Sequence, residues 1–269
     1  MTQVREAAVA GLFYPADAGE LSETVRSMLS NGQPAGSAPR ALIVPHAGYV
    51  YSGPVAATAY ASLIPFARRY RRVVLLGPCH RAPLTGLASS SADAFRTPLG
   101  DVPLDQALIA SLGPPSVAIS AEAHRLEHSL EVQLPFLQTV LGEFTLVPLA
   151  VGDTAPEHVA EVIDALWNEP RTLFVVSSDL SHYLPYANAR RRDEATCNAI
   201  EQLHSGRISH ADACGATAVA GLLIVAARHN LAVRTLDLRN SGDTAGSKDQ
   251  VVGYGSWVFE ENKSCELAA

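Results

Sequence analysis

The sequence predicts a single α/β domain with a central, mostly parallel sheet flanked by helices. Three observations carry that expectation. Apolar runs such as Ala41–Val44 and Val73–Leu76 show no polar alternation, as strands buried on both faces require. These two runs are separated by a helical pattern, and strand, helix and strand within about 35 residues make a βαβ crossover that leaves the strands parallel. No internal repeat or shift of composition divides the 269 residues, 48% of them hydrophobic, so one core and one domain over 1–269 are expected.

Charge and leader patterns narrow the partners. Lys plus Arg is 20 against 27 Asp plus Glu, a net charge of −7 with no basic tail, which argues against nucleic acid. The opening MTQVREAAVAGLFYP has no basic region followed by an apolar run, and no segment approaches the roughly 18 uninterrupted apolar residues of a membrane span. A soluble, cytoplasmic protein with no membrane partner is expected. Cys79, Cys197, Cys214 and Cys265 are few and irregularly spaced, so a thiol here would be a ligand or redox group and not part of a disulfide framework.

In chain order, Ala10-Gly11-Leu12-Phe13-Tyr14-Pro15 is either an arm tucked into the core or the wall of a pocket. A helical pattern follows from Gly19 to Leu29, then a Gly/Pro/Ser loop over 31–39. The strand from Ala41 delivers Pro45-His46, and Ser52 is placed to cap a helix carrying Val55, Ala56, Ala59, Tyr60 and Leu63. The second strand, Arg71–Pro78, delivers Cys79-His80. Ligands and catalytic groups gather at the carboxyl ends of such strands, so His46 and His80 are expected on one rim.

Thr85–Ser91 reads as a short strand, Ala94–Gly100 as a turn region and Asp105–Leu112 as a helix. The spacing of Leu130, Leu134 and Leu137 predicts a helix in which His128 and Glu131 lie within one turn, as a solvated helix start or as part of a site. Phe144–Val151 is a third strand, Pro156–Trp167 a helix and Arg171–Ser177 a fourth strand. That strand is followed by Ser178-Asp179-Leu180-Ser181-His182-Tyr183, a third histidine after a buried run. Asn188–His204 reads as a polar helix. Thr217–Ala227 is a buried helix whose N-terminus would favour a thiolate at Cys214, unless that residue is a small buried hydrophobe. Leu231–Leu238 and an alternating Val251–Phe259 close the chain as strands.

His46, His80 and His182 are thus expected to line one pocket. Two imidazoles and a carboxylate make an open iron site, and a thiolate shifts preference toward softer ions. There is no G-x-S-x-G elbow, phosphate-binding loop or dinucleotide fingerprint. A hydrolase using Asp179 and His182 has no marked serine nucleophile.

Seven ordered motifs carry a resemblance over nearly the whole chain. They are Ala10-Gly-Leu-Phe-Tyr-Pro15, Pro45-His-Ala-Gly-Tyr49 with Ser52-Gly53, Leu76-Gly-Pro-Cys-His80, Glu127-His-Ser-Leu-Glu131, Ser177-Ser-Asp-Leu-Ser-His-Tyr183, Asp212-Ala-Cys-Gly215 and Val252-Gly-Tyr254. With them the sequence resembles the Memo family, called AmmeMemoRadiSam system protein B in bacteria and archaea. That family is similar in fold to the class III extradiol (LigB-type) dioxygenases. The resemblance implies that His46 and His80 are metal ligands, that Cys214 takes the position of the carboxylate ligand, and that His182 is the acid/base histidine. It implies Fe(II) or Cu as the metal, and a radical S-adenosylmethionine protein and an AMMECR1-like protein as partners. A thiolate in place of the carboxylate departs from the ring-cleaving pattern.

The expectation is a metalloprotein with two histidines and one cysteine on Fe(II) or Cu, acting as an O2-dependent, dioxygenase-like oxidoreductase. Its substrate would be an unidentified small molecule or peptide. Asp179 and His128, and less directly Glu131, would orient the site. Two alternatives stay open: a non-catalytic module that binds a peptide or small ligand in the same pocket, and a metal-independent hydrolase.

Overall fold

The apolar runs of the sequence lie side by side as neighbouring strands. The computed structural model describes residues 3–30, 32 and 34–262, so Cys265 lies outside the described residues. The first half contains β1 (Val4–Arg5), α1 (Ala18–Leu29), β2 (Ala41–Val44), α2 (Tyr49–Ser62), β3 (Arg72–Pro78), β4 (Leu87–Ser89), β5 (Ala94–Thr97), β6 (Gly100–Pro103), α3 (Gln106–Leu112), β7 (Ala118–Ile119) and α4 (Ala121–Arg125). The second half contains α5 (Leu134–Leu141), β8 (Thr145–Val151), α6 (Pro156–Leu166), β9 (Thr172–Ser177), α7 (Tyr186–Glu201), α8 (Ala216–Arg228), β10 (Leu231–Asn240) and β11 (Gly253–Glu261).

Eight strands form one sheet in the order β10-β11-β2-β9-β3-β8-β4-β7, and β2, β9, β3 and β8 run parallel at its centre. All four residues of β2 and all six of β9 are buried, which explains why neither shows polar alternation. Helices α1, α2 and α5 pack together as one group, while α6 and α8 pack on each other and α8 on β3 and β9. This is a single α/β domain with a mixed, centrally parallel sheet. No helix among the described residues is long and apolar enough to cross a membrane.

Topology sets the site. In the pairing register Val44 stands beside Ser177, and β9 lies between β2 and β3. The carboxyl ends of β2, β9 and β3 therefore reach one edge together, delivering His46, the Ser178–His182 segment and His80.

Four local expectations are corrected. Helix α2 begins at Tyr49 with Gly48 as N-cap, and Ser52 lies inside the helix with its hydroxyl donating to Ala47 O at 2.9 Å. Its first turn is instead anchored from outside, by the Tyr49 N–H donating to Phe13 O. Ala94–Gly100 is not a turn region but most of the β5–β6 hairpin, pinned by Arg96 on Asp101. Residues 127–130 are not helical, and a 3-10 turn over Glu131–Gln133 leads into α5, which starts only at Leu134. There the Glu127 carboxylate accepts the N–H groups of His128 and Ser129, both at 2.9 Å, offering the backbone an alternative to a helix. Finally, β11 does not alternate: its first seven residues are all buried, because α2 and α7 both contact it.

Candidate metal centre

Three imidazoles meet at the strand edge. Ligand-type nitrogens of His46, His80 and His128 all lie within 4.8 Å of one another. The ring centroids are 5.3 Å apart for His46 and His80, 5.5 Å for His46 and His128, and 5.0 Å for His80 and His128. His46 and His80 come from the ends of β2 and β3, and His128 from the turn before α5. That turn packs closely on β3 because Gly77 has no side chain; a Cβ there would stand 2.9 Å from Leu130 and 3.0 Å from the Ser129 hydroxyl.

The neighbours of His46 determine its tautomer. The Ser177 hydroxyl donates its one proton to Ser129 O at 2.6 Å and accepts from Gln133 Nε2 at 2.8 Å. With that proton committed, the 2.9 Å contact between His46 Nδ1 and Ser177 Oγ requires the imidazole to donate. The lone pair of His46 is then on Nε2. Gln133 is held in turn by Tyr60 and by Pro45 O, so a buried polar chain reaches from α2 to the site.

His80 is oriented by a carboxylate. Its Nδ1 is 3.1 Å from Glu127 Oε1, and Glu127 also accepts the His80 backbone N–H. Burial would raise the Glu127 carboxyl, but the hydrogen bonds from His80 and Ser129 and the nearby imidazoles outweigh it and bring it down to about 2. An ionised carboxylate only accepts, so His80 donates from Nδ1 and turns Nε2 away from Glu127. His128 Nδ1 lies 3.3 Å from the same oxygen and is buried without a hydrogen bond.

Cys214, in the segment before α8, touches His46 but is not among the groups whose ligand atoms all lie within 4.8 Å of one another. Its Sγ is 3.3 Å from His46 Nε2. Two such ligands held tetrahedrally by one ion would stand about 3.5 Å apart, from distances of about 2.0 Å to nitrogen and about 2.3 Å to sulfur. Gly215 beside it approaches Ser178 so closely that a Cβ would be 2.8 Å from that hydroxyl, and its N–H donates to the same oxygen at 2.9 Å. Of the two readings left open for Cys214, the metal-free chain favours the buried thiol over the thiolate. Burial, and then the Asp179 carboxylate, push the Cys214 thiol up to about 12, outweighing the nearby N–H groups. Burial and the neighbouring imidazoles conversely push His46 down to about 3 and His128 to about 4, leaving both neutral.

The residues fit a metal ion. Neutral imidazoles at His46 and His128, the His80 ring oriented by Glu127, a protonated thiol beside His46 and an orphaned buried nitrogen are the donor set an ion would satisfy. Asp179 spends its carboxylate on the backbone, accepting the His46 N–H at 2.7 Å, and burial raises its pKa. His182 lies outside the cluster. It is exposed, and together with Asp179 and His128 it lines a neighbouring cavity of about 800 Å³ whose wall also includes Phe13 and Tyr14. The aromatic pair of the arm therefore belongs to the pocket, with Phe13 edge-on to His128 at 4.9 Å.

Glu131 has a different set of partners from the one expected. It is fully buried, pairs with Arg5, accepts the Ala8 N–H at 2.7 Å and Val9 N–H at 3.0 Å, and takes the Tyr14 hydroxyl at 2.5 Å. It clamps the arm that walls the pocket. Glu127, Ser177 and Gln133 were not singled out from the sequence. The available signals were a carboxylate directly before His128 and one amide inside the apolar Leu130–Leu137 segment.

Comparisons with known proteins bear on the family and the fold. Residues 5–258 match the family model described as "Memo-like protein". The chain is 37% identical over 273 residues to a MEMO1 family protein of Aquifex aeolicus, covering 96% of this chain and 99% of that one. It is 37% identical to a MEMO1 family protein of Aeropyrum pernix, covering 94% and 98%, and 34% identical to one of Thermoplasma volcanium, covering 95% and 98%. The crystal structure of uncharacterized protein JW3007 from Escherichia coli K12 shares the fold, with a TM-score of 0.50 and 15% identity over 80% of this chain and 98% of that one.

Proposed function

Since this chain belongs to the Memo-like family, we propose that it holds one iron or copper ion through His46, His80 and Cys214 and uses it in O2-dependent redox chemistry. The observation that carries this reading is the meeting of His46 Nε2 and Cys214 Sγ at 3.3 Å beside two further imidazoles. His128 supplies a fourth donor or a hydrogen-bonding neighbour. Imidazole with thiolate suits Cu and Fe better than the hard ions that carboxylates and waters select.

A bound iron or copper ion would supply one-electron redox capacity and a site for O2. The chain's own residues do the rest. Ser177 and Glu127 fix the two imidazoles with Nε2 presented, and Asp179 fixes the backbone of His46. His182, at the cavity wall, is the group that exchanges protons with a substrate. The substrate is a small molecule or peptide end that enters the 800 Å³ cavity. A radical S-adenosylmethionine protein and an AMMECR1-like protein are the partners proposed for it.

The test is metal content and O2 uptake on anaerobically loaded protein. Stoichiometric metal in wild type, lost in His80→Ala and Cys214→Ser, supports the site. O2 uptake that falls in His182→Ala with metal retained supports the acid/base role. A second reading is favoured by the fact that His46 is 2% exposed while the cavity beside it is open: the pocket binds a ligand without chemistry. Full metal loading with no O2 uptake on any candidate substrate would favour that reading.

A further inference from the structure

The cavity beside the histidines has a charge character of its own. Its rim is aromatic and apolar and faces solvent: Tyr183 is 70% exposed, Leu12 79% and Val50 66%. Tyr183 holds this position with φ of 56°, a left-handed conformation that a tyrosine adopts only when its surroundings impose it. Deeper in, Tyr254 lies within electrostatic reach of Tyr51, Tyr183 and Asp179. Three phenol rings thus bracket one opening.

No Lys or Arg lies among the described residues that line this cavity, although the chain has 20 of them. Glu20 and Asp179 do line it. The nearest loop cation by sequence is Lys248, between the lining residues Gly246 and Gln250, and its ammonium sits over the Tyr186 ring at 4.6 Å. The ionisable side chains on this described wall are therefore tyrosine phenols, the carboxyls of Glu20 and Asp179 and the imidazoles of His128 and His182, with no guanidinium or ammonium to receive an anion. Ring faces carry negative quadrupole charge and attract cations.

We propose that this cavity selects an organic cation, an amine or ammonium group on an aromatic or alkyl body, and rejects anionic ligands of the same shape. Tyr51, Tyr183 and Tyr254 hold the cation by their faces, and Glu20 adds a carboxylate at the mouth. A volume of about 800 Å³ admits a ligand body well beyond a single ring. The inference deepens the reading of the pocket as a substrate site and rests on that reading for its biological use, but charge selection resides in the rim and not in the metal ligands.

Three probes that share a phenethyl body test it on the full chain: phenethylamine, phenethyl alcohol and 3-phenylpropionate, titrated by calorimetry and by ligand-observed NMR. Binding of the amine about five-fold tighter than the alcohol, with the carboxylate weakest, is expected for phenol-face recognition. Tyr183→Ala and Glu20→Gln should each reduce the preference for amine over alcohol while leaving the melting temperature near that of wild type. Equal affinity for amine and alcohol, a carboxylate that binds as well as the amine, or no amine binding at millimolar concentration would overturn the proposal. Metal content of the wild-type protein, measured beside its amine preference, separates the two readings. Amine preference that persists while metal loading is absent even in wild type sinks the metal reading alone; metal loading in a wild type that lacks the preference sinks this one alone.

Discussion

The Cys214 thiol and the His46 imidazole, 168 residues apart in sequence, meet at 3.3 Å. The contact joins the end of β2 to the segment entering α8, so it exists only in the folded sheet. It also pairs two groups whose proton affinities are displaced in opposite directions. His46 is neutral down to about pH 3, whereas the Cys214 thiol keeps its proton up to about 12.

That asymmetry predicts the proton count of metal binding. Neutral imidazoles release nothing when they ligate, but a thiol must lose its proton. Log affinity should therefore rise with a slope of about one per pH unit in wild type across the neutral range. In Cys214→Ser the slope should fall to near zero. A zero slope in wild type, read from competition with a chelator of known pH dependence, would remove Cys214 from the ligand set.

Ser177→Ala should weaken metal binding without touching a ligand. It removes the acceptor that holds the proton on His46 Nδ1, and oriented outer partners of this kind are worth about 10–100-fold in affinity. Nitrogen NMR of the metal-free protein should show His46 losing its single tautomer. An unchanged tautomer and unchanged affinity would mean that the Ser177 contact is incidental.

Glu127→Gln tests the depressed carboxylate through pH. A carboxyl drawn down from 4.5 to about 2 stabilises the folded state at pH values above 4.5, and that contribution is lost as pH falls toward 2. The stability gap between wild type and Glu127→Gln should accordingly be largest at neutral pH and close on acidification. A gap that stays constant in denaturant melts down to the acid limb would contradict the charge-based role.

Glu131→Gln should loosen the arm. Arg5 would remain buried with no countercharge, a loss of about 3–5 kcal/mol for a broken buried pair. Limited proteolysis should then cut within the Val9–Pro15 segment, and the cavity wall formed by Phe13 should become mobile by NMR. Protection equal to wild type would place the clamp elsewhere.

Much of the frame was legible because burial on both faces writes itself as unbroken apolar runs. Ala41–Val44, Arg72–Pro78 and Thr172–Ser177 could be read as strands, and parallel crossovers then put His46, His80 and the Asp179–His182 segment at one edge. The clustering of His128 with His46 and His80 was less legible, because it depends on Glu127 turning its carboxylate back onto the chain and delaying α5 to Leu134. Helical spacing of the leucines concealed that turn. Glu131 was misread for a related reason: its partner Arg5 lies 126 residues away, and no local pattern announces a buried ion pair. The protonation of Cys214 was also hidden, since helix position favours a thiolate and only three-dimensional burial reverses it.

The most direct measurement is X-ray absorption on protein loaded anaerobically with Fe(II) or Cu(I). The account predicts one sulfur scatterer at about 2.3 Å together with at least two imidazole nitrogens, and loss of the sulfur shell in Cys214→Ser. A spectrum with oxygen donors alone, or a wild-type spectrum unchanged by both Cys214→Ser and His46→Ala, would contradict it.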